Sequence, residues 1–347
     1  MKIARRYILP LVLFFANAHA LADTTQAREA FLELIDRPRA ALTPQVREID
    51  APEGFRKFHF TIAADASQRI PGHLLKSKEA RFRGRRPSVI VLHGTGGTKD
   101  GNQVVEIAQR LAALGFVAIT IDGRYHGERS HEGSGVSAYN EAIVRAWRSG
   151  EGHPFYYDTA WDVMRVVDYL ETREDIDAGR IGLTGISKGG IETYLAAAAD
   201  MRIAAAVPLI GVQSFRWSLV NGQWKARIAT IQPAFDVAAA DANQKNPNVD
   251  FVRRFYDRVV PGIYEQFDGP SMLTLIAPRP LLVINSDSDA NTPIAGVRLA
   301  VESARPAYAA QNAGEKLVLR VQENTAHRVR PDSIDATIEW FVRWLNP

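Results

Sequence analysis

The sequence predicts an α/β fold, a doubly wound and mostly parallel sheet with helices on both faces and a helical cap insertion. The first observation is that short apolar segments alternate with stretches of helical spacing. The apolar segments lie near residues 88–93, 116–122, 180–186, 203–210, 280–286 and 316–322. The second observation is that the alternation stops between about residues 212 and 270, where aromatic residues accumulate. That stretch predicts the cap, with helices near residues 218–232 and 248–260.

The elements before the first parallel strand follow other patterns. Residues 23–50 are predicted to form a helical extension with a short apolar face. Residues 58–62 and 70–75 alternate between apolar and polar, which predicts two antiparallel strands at the first edge of the sheet. At the other end of the chain, a final helix is predicted to begin at an N-cap formed by Asp332 or Ser333.

The first twenty residues have the three-part layout of a secretory signal peptide. A basic start is followed by an apolar run at residues 7–15, too short to span a membrane, and by small residues that end at Ala20. Cleavage is predicted after Ala20 or, almost as well placed, after Ala22. The protein is therefore expected to be periplasmic or secreted, with residues 21–347 forming one domain.

Charge and composition restrict the partners. The leader holds three positive charges and no acidic residue, so its removal lowers the formal net charge from +3 to 0. A neutral domain gives no electrostatic reason to expect binding to nucleic acid or to anionic membranes. The chain has no cysteine, which excludes a thiol nucleophile, disulfides and zinc–cysteine sites. Nothing in the composition predicts an oligomeric state.

No metal or cofactor is predicted. The glycine-rich stretch at residues 94–101 matches neither a dinucleotide-binding fingerprint nor a P-loop. A zinc site built from His93, His126, His131 and His153 would need a closely spaced histidine pair, which these residues do not provide.

The pentapeptide Gly-Ile-Ser-Lys-Gly at residues 185–189 stands between an apolar strand and a helix of small residues. A strand that turns sharply into a helix exposes the central side chain, and glycines on either side avoid a backbone clash. This context makes Ser187 the candidate nucleophile.

Two partners follow in the chain order serine, acid, histidine. Asp289 follows an apolar strand in an acidic loop, and His327 follows the next strand. The chemistry needs both, because histidine must take the serine proton and a carboxylate must fix the imidazole tautomer. Asp287 competes with Asp289 for this role. Asp289 is preferred because Pro293, four residues later, fits the turn into the next helix.

A third loop, at residues 93–97, reads His-Gly-Thr-Gly-Gly after a buried strand. Such a turn can supply backbone N–H groups to an oxyanion, here from Thr95 or its neighbour Gly96, with a second N–H from Lys188. His93 is expected to be structural, with its ring hydrogen-bonded to backbone. Asp122 and Arg124, in the loop after another strand, are expected to form a buried structural pair.

These motifs, with Asp-Gly-Arg-Tyr-His-Gly-Glu-Arg-Ser at residues 122–130 and Ala-Pro-Arg-Pro at residues 277–280, resemble the α/β-hydrolase superfamily. The sequence is similar to dienelactone-hydrolase-like and acetyl-xylan-esterase-like serine esterases, which are related to the catalytic domain of prolyl-oligopeptidase-type peptidases. The resemblance covers about residues 71–345. It implies the fold and a Ser-Asp-His triad, and it names no substrate.

The expected function is hydrolysis of a carboxylic ester, on a small-molecule or carbohydrate substrate, through an acyl-enzyme. Trp217 and Gln213, which come first after the strand at residues 203–210, are the candidate substrate-binding residues of the cap. A serine peptidase is the first alternative, although only about seventy residues precede the core strands, too few for a propeller domain. A non-catalytic binding protein on the same fold is the second alternative.

Overall fold

A computed structural model describes residues 25–130, 135–153 and 156–347. Nine strands form one sheet in the order β1-β2-β3-β5-β4-β6-β7-β8-β9. The pairs β1–β2, β2–β3 and β3–β5 are antiparallel, and the remaining pairs are parallel. The predicted mostly parallel, doubly wound sheet is therefore confirmed.

The strands, in chain order, are β1 Gln45–Ile49, β2 Phe55–Ala63, β3 Arg69–Ser77, β4 Arg86–Leu92, β5 Val117–Ile121, β6 Ile176–Ile186, β7 Ile203–Leu209, β8 Leu281–Ser286 and β9 Leu317–Gln322. Each of the six apolar segments seen in the sequence overlaps one of the strands from β4 to β9, although β4 and β6 begin two and four residues before their segments. Strands β4, β5, β7 and β8 are almost completely buried, which explains their continuous apolar sequences, since both faces of a parallel sheet are covered. β9, at the edge of the sheet, is only partly buried.

The helix α1 covers residues 25–35 of the described chain. The helices that follow are α2 Asn102–Ala113, α3 Gly135–Ser149, α4 Tyr157–Glu171, α5 Lys188–Ala199, α6 Phe215–Val220, α7 Lys225–Ala229, α8 Gln232–Asp241, α9 Val249–Val259, α10 Gly269–Thr274, α11 Ile294–Ala310 and α12 Pro331–Leu345. Where the sequence predicted two cap helices, the structure has α6 to α10.

The prediction of a helical extension over residues 23–50 is right only for α1 within the described residues. Residues 45–49 instead form β1, which pairs with β2 in the register Val46 to Phe60. Two prolines, Pro38 and Pro44, explain the change, because each disfavours helical backbone in the residue before it. β1 is largely exposed, so backbone pairing with β2 stabilises it more than side-chain burial does.

The predicted caps of the last helix are also wrong. Helix α12 begins at Pro331, and its N-cap Arg330 makes no side-chain cap. The hydroxyl of Ser333 donates instead to Gln322 Oε1 on β9, at 2.8 Å. This bond ties the helix to the strand that precedes the His327 loop.

The two faces of the sheet have separate hydrophobic cores. On one face, α2 and α12 pack over residues such as Val91 and Val207. On the other face, α4, α5 and α11 share a larger core with the cap and α1. The carboxyl ends of the parallel strands lie at the edge between these layers, where sites form in such sheets.

Aromatic side chains hold the cap to the body. Trp147 on α3 contacts Phe251 and Phe255 on α9 with ring centroids 5.9 Å apart, and Phe235 on α8 lies 5.2 Å from Phe255. Most cap aromatics are buried, so they serve packing. Among the described residues, no helix has the length and apolarity that a membrane span requires.

Candidate active site

Ser187 occupies the turn between β6 and α5 in a backbone conformation that non-glycine residues rarely adopt, with φ 57° and ψ −110°. Its N–H donates to Leu209 O at 2.8 Å. A Cβ at Gly185 would lie 2.4 Å from the Gly189 carbonyl oxygen, and a Cβ at Gly189 would lie 2.7 Å from the carbonyl oxygens of Leu92 and His93. These close backbone contacts leave no room for a side chain at either position, which explains the predicted requirement for glycine at both.

A chain of two hydrogen bonds begins at this serine. Ser187 Oγ lies 2.7 Å from His327 Nε2, and His327 Nδ1 lies 2.6 Å from Asp289 Oδ2. The Asp289 side chain is fully buried, whereas the His327 side chain is 27% exposed. The three residues predicted from chain order thus meet at the edge of the sheet, with the histidine open to solvent.

Asp289 is held in place by its own loop. Its Oδ1 accepts from the Asn291 N–H at 2.8 Å, and its Oδ2 accepts from the Thr292 hydroxyl at 2.6 Å. Asn285, on β8, donates to that hydroxyl at 3.0 Å. Burial by itself would raise the pKa of Asp289, but the bonds from His327, Thr292 and Asn291 leave this pKa below its usual value. The carboxylate therefore stays ionised beside the imidazole.

The competing acid, Asp287, points elsewhere. Its carboxylate accepts from the N–H groups of Asn324 and Thr325, at 2.9 and 3.2 Å, and from the Ser288 hydroxyl. The bond from Asn324 is the main reason that the pKa of Asp287 lies below its usual value. Asp287 thus shapes the start of the loop that carries His327, and Asp289 is the acid in contact with the ring.

The glycine-rich turn lies directly against Ser187. A Cβ at Gly94 would lie 3.5 Å from Ser187 Cβ, and Gly97 N–H closes the turn by donating to Gly94 O at 3.0 Å. Thr95 is half-buried in this turn, and Lys188 is the first residue of α5. Lys188 thus follows Ser187 in the chain, and the turn that contains Thr95 packs against Ser187, while the oxyanion role of the two N–H groups stays a prediction.

His93 has the predicted structural role. Its Nδ1 lies 2.7 Å from Gly94 O, and its Nε2 accepts from the Gly123 N–H at 2.9 Å. Burial first, and then the charge of Lys188, lower the pKa of His93 to about 3. Both nitrogens of this neutral ring bond to backbone groups. His93 therefore holds the glycine-rich turn in place, and neither nitrogen is available for proton transfer.

The expected pair between Asp122 and Arg124 is not formed. Asp122 accepts from Lys99 Nζ at 2.8 Å, whereas Arg124 binds Asp162 at 3.0 Å and Asp65 at 2.9 Å. Both residues are buried and structural, as expected, but each has its partner on another element. The pairing was wrong because those partners are distant in sequence.

The described histidines do not form a cluster that could coordinate a metal ion. His126 Nδ1 lies 2.8 Å from Arg124 O, and its ring packs 5.0 Å from that of His93. Burial first, and then the charge of Lys188, lower the pKa of His126 to about 3. No group of three metal-ligating side chains occurs among the described residues, and His131 lies outside them.

Comparison with known proteins decides the family. The family model for acetyl xylan esterase (AXE1) matches residues 32–215, more than half of the chain, and includes Ser187. The chain belongs to this family. A second model, for fungal glucuronyl esterase, matches residues 132–312 and includes both Ser187 and Asp289. The predicted resemblance to acetyl-xylan-esterase-like serine esterases is confirmed, and the protein is a carboxylic ester hydrolase.

Individual relatives agree with this assignment. The Bacillus subtilis protein YitV is 28% identical over 273 residues, 79% of this chain and 94% of YitV. A 4-O-methyl-glucuronoyl methylesterase from Hypocrea jecorina is 33% identical over 133 residues, 38% of this chain and 27% of that enzyme. This chain is similar to the solved structure of an acetyl xylan esterase from Paenibacillus sp. R4, with a TM-score of 0.65 at 19% identity. The match covers 99% of this chain and 97% of the Paenibacillus chain. At that identity, the likeness is one of fold.

In this esterase a buried ion pair lies directly after Ser187, the candidate nucleophile. Lys188 Nζ bonds to Glu192 Oε1, one turn along α5, and a Cβ at Gly123 would lie 3.2 Å from that ammonium nitrogen. Burial raises the pKa of Glu192 to about 7, against the lowering effects of Lys188 and Thr159. The sequence analysis missed this pair, although its i, i+4 spacing on a helix was the available signal.

The two cap residues predicted to bind substrate lie in different surroundings. Trp217 is half-buried on α6, with its ring 3.5 Å from where a Cβ at Gly296 would lie. Gln213 is 1% exposed. Its amide, in the orientation that satisfies its neighbours, donates to Asn291 O at 3.2 Å and accepts from Arg227 at 3.3 Å. Gln213 therefore supports the loop of Asp289, and substrate contact by either residue stays a prediction.

Proposed function

We propose that this chain is an exported serine esterase that removes ester groups from carbohydrate through an acyl-enzyme intermediate. The observation that carries the proposal is the hydrogen-bond chain from Ser187 through His327 to Asp289, with distances of 2.7 and 2.6 Å, at a sharp turn between strand and helix. A hydroxyl so placed, beside a base held by a buried carboxylate, is the arrangement that acyl transfer requires.

Acylation begins when Ser187 Oγ attacks the ester carbonyl carbon and its proton passes to His327 Nε2. The negative charge that develops on the carbonyl oxygen is stabilised by the N–H groups of Thr95 and Lys188. Asp289 stabilises the imidazolium through Nδ1. The tetrahedral intermediate collapses when the C–O bond to the alcohol breaks and His327 returns its proton to the departing oxygen.

Deacylation repeats the sequence with water. His327 takes a proton from a water molecule as the water oxygen attacks the acyl carbon. The bond between the acyl carbon and Ser187 Oγ then breaks, and His327 returns the proton to Oγ. The partial exposure of the His327 side chain, 27%, supports this step, because water can approach the imidazole ring. Trp217, half-buried on α6, is proposed to contact the acyl group at the cap side of the site.

The family supports a carbohydrate ester as substrate. The matched family models describe acetyl xylan esterases and fungal glucuronyl esterases, and one relative is named a 4-O-methyl-glucuronoyl methylesterase. Acetyl xylan and glucuronoyl methyl esters are therefore the first substrates to test. Both are polymers or parts of polymers that a cell meets outside its cytoplasm, which agrees with export.

Export rests on the leader at residues 1–20, which lies outside the described residues. Sequencing the N-terminus of the mature protein from a periplasmic or culture fraction should find Leu21 or Asp23. Met1 or Lys2 on soluble cytoplasmic protein would contradict this part of the proposal.

One substrate panel tests the activity. Nitrophenyl esters of increasing acyl length, acetylated xylan, glucuronoyl methyl ester and an aminoacyl anilide are incubated with wild type, and a fluorophosphonate probe is used in parallel. Turnover of esters without anilide turnover is expected. Preferred anilide turnover would favour the peptidase alternative, and no turnover with no labelling would favour a binding protein.

A further inference from the structure

We propose that Asp122 is a positioning residue for catalysis, and that together with Gly123 it sets the place of the glycine-rich turn beside the candidate nucleophile. The two residues come directly after β5, and we call them the β5 dipeptide. The inference rests on the proposed function, because it concerns the proposed oxyanion donors Thr95 and Lys188. It extends that function by giving a buried ion pair outside the triad an effect on turnover.

The glycine-rich turn, residues 94–98, leaves its central N–H groups unused by the backbone. The N–H of Gly97 closes the turn by donating to Gly94 O at 3.0 Å, whereas the N–H groups of Thr95 and Gly96 donate to no backbone carbonyl of the described chain. Gly96 has a φ of 74°, which few residues other than glycine adopt. These N–H groups suit an oxyanion, and the place of the turn must be fixed by bonds at its two ends.

Asp122 bonds to the residue that follows the turn. Its Oδ1 accepts from the backbone N–H of Lys99, and its Oδ2 accepts from Lys99 Nζ, both at 2.8 Å. The same Oδ2 accepts from the Glu128 N–H at 3.1 Å. Asp122 is fully buried and Lys99 almost fully buried, so water does not compete for these bonds. The carboxylate therefore fixes the backbone at the end of the turn.

Gly123 bonds to the residue that precedes the turn. Its N–H donates to His93 Nε2 at 2.9 Å, and His93 Nδ1 lies 2.7 Å from Gly94 O. Two neighbouring residues thus bond to both ends of the turn. The β5 dipeptide is itself tied to the sheet, because the Asp122 N–H donates to Pro71 O on β3 at 3.1 Å.

The helix that carries the second proposed oxyanion donor also contacts the β5 dipeptide. The ammonium nitrogen of Lys188, on α5, would lie only 3.2 Å from a Cβ added at Gly123. This side chain is buried and paired with Glu192, so it has little freedom to move. The β5 dipeptide therefore touches both the turn of Thr95 and the helix of Lys188. Oxyanion donors must be placed to within about 0.5 Å, so a shift of the dipeptide should lower turnover.

Other charged residues of the same loop lack this connection. Arg124, the next residue in the chain, bonds to Asp65 and Asp162 rather than to the turn. A substitution at Arg124 should therefore lower stability alone, whereas one at Asp122 should also lower kcat.

The main test is a double variant, Lys99→Met with Asp122→Leu, which replaces the ion pair by apolar side chains of similar shape. Such replacements are often neutral for stability, but this one removes the carboxylate that bonds to the backbone N–H of residue 99. For nitrophenyl acetate, kcat should fall about 10- to 100-fold while KM stays within about twofold. The affinity for a trifluoromethyl ketone, whose adduct with Ser187 carries an oxyanion, should fall by a similar factor.

Two further variants separate position from charge and from packing. Lys99→Met alone keeps the bond from its backbone N–H to Asp122, and should change kcat less than about threefold. The matched control is Lys76→Met with Asp175→Leu, at an ion pair of 2.6 Å between β3 and the residue before β6. This pair lies at the opposite edge of the sheet, so kcat of the control should stay within about twofold of wild type.

Unchanged kcat in a folded double variant, checked by circular dichroism, would overturn the inference and leave the esterase proposal intact. An equal loss of kcat in the control would also overturn it, because the loss would then report general packing. If the double variant does not fold, Gly123→Ala decides, since its Cβ presses on Lys188 and leaves the ion pair in place. Its kcat should fall about three- to tenfold at unchanged KM, and an unchanged kcat would overturn the inference. If wild type hydrolyses no ester at all, the proposed function fails first and this inference with it.

Discussion

Two groups of polar residues lie at the carboxyl ends of parallel strands, and they differ in how completely they are neutralised. In the loop after β5, Arg124 bonds to Asp65 and Asp162, and Arg129 also bonds to Asp162. These residues are largely buried, and each charge faces an opposite charge. In the loops after β6, β8 and β9, the hydrogen bonds instead end at a serine hydroxyl next to a histidine that is 27% exposed.

The difference separates structure from reactivity in residues of the same chemical type. Arg124 is buried and bonds to two carboxylates. Burial by itself would lower the pKa of Arg124, but the charge of Asp162 holds this pKa above its usual value. The imidazole of His327, by contrast, bonds through Nδ1 to Asp289 and through Nε2 to the neutral hydroxyl of Ser187, and 27% of its side chain is exposed. The first group is therefore closed on itself, whereas the second ends at a hydroxyl beside a partly exposed ring.

The largest effect is expected at the serine of the proposed triad. Ser187→Ala should lower kcat by about 10⁶-fold, equivalent to about 8 kcal/mol of transition-state stabilisation, because the proposed nucleophile is lost. Steady-state kinetics and fluorophosphonate labelling measure this, and circular dichroism should show an unchanged fold. Labelling that persists on Ser214 or Ser286 would move the nucleophile elsewhere.

The next largest effect separates the two aspartates of one loop. Asp289→Asn should lower kcat by about 10⁴-fold, because the amide favours the wrong imidazole tautomer. Asp287→Asn is the matched control and should cost less than about threefold, since its carboxylate bonds to backbone N–H groups rather than to His327. The reverse ranking would assign the catalytic carboxylate to Asp287.

Disruption of the closed network should affect stability rather than catalysis. Arg124→Met removes one of the two arginines that bond to the buried Asp162 and one of the two that bond to Asp65, and the free energy of unfolding should fall by about 3 kcal/mol. Denaturant titration measures this loss. Arg81→Met, at an exposed ion pair, should change stability by less than about 0.5 kcal/mol. If Arg124→Met instead lowers kcat of the folded protein more than its stability, the loop takes part in catalysis.

A smaller, pH-dependent effect is expected at the ion pair behind the nucleophile. The pKa of Glu192 is about 7 in the folded protein, above its ordinary value of 4.5. The folded state therefore binds more protons than the unfolded state between those values, so this group contributes stability below about pH 4.5 that is lost as the pH rises through 7. The contribution amounts to about 3 kcal/mol at most.

Urea titrations at several pH values from 5 to 8 measure this contribution as the difference between wild type and Glu192→Gln. Wild type should lose stability relative to the variant as the pH rises. Glu106→Gln, at an exposed side chain on α2, should run parallel to wild type throughout. Parallel profiles for Glu192→Gln as well would show that Glu192 is ionised at all of these pH values.

Much of the fold and of the candidate site follows from local sequence. The apolar segments identify β4 to β8 because a strand covered on both faces must be apolar along its length. The edge strand β9 is less completely covered. Ser187 is proposed from its glycines, and Asp289 and His327 from their positions after strands. The start of α12 and the strand β1 were misjudged, since a helix cap and an edge strand depend on contacts with Gln322 and β2.

The amino-acid sequence by itself determined the layered α/β fold and the structural role of His93, and it proposed Ser187 and His327 together with two competing acids, because each of these depends on local pattern and chain order. Only the tertiary structure decided that Asp289 rather than Asp287 touches His327, that Arg124 pairs with Asp65 and Asp162, and that Gln213 faces Arg227. The physical reason is common to all three. Hydrogen bonds and ion pairs act over about 3 Å, and side chains far apart in sequence come within that distance only when the sheet and cap have packed.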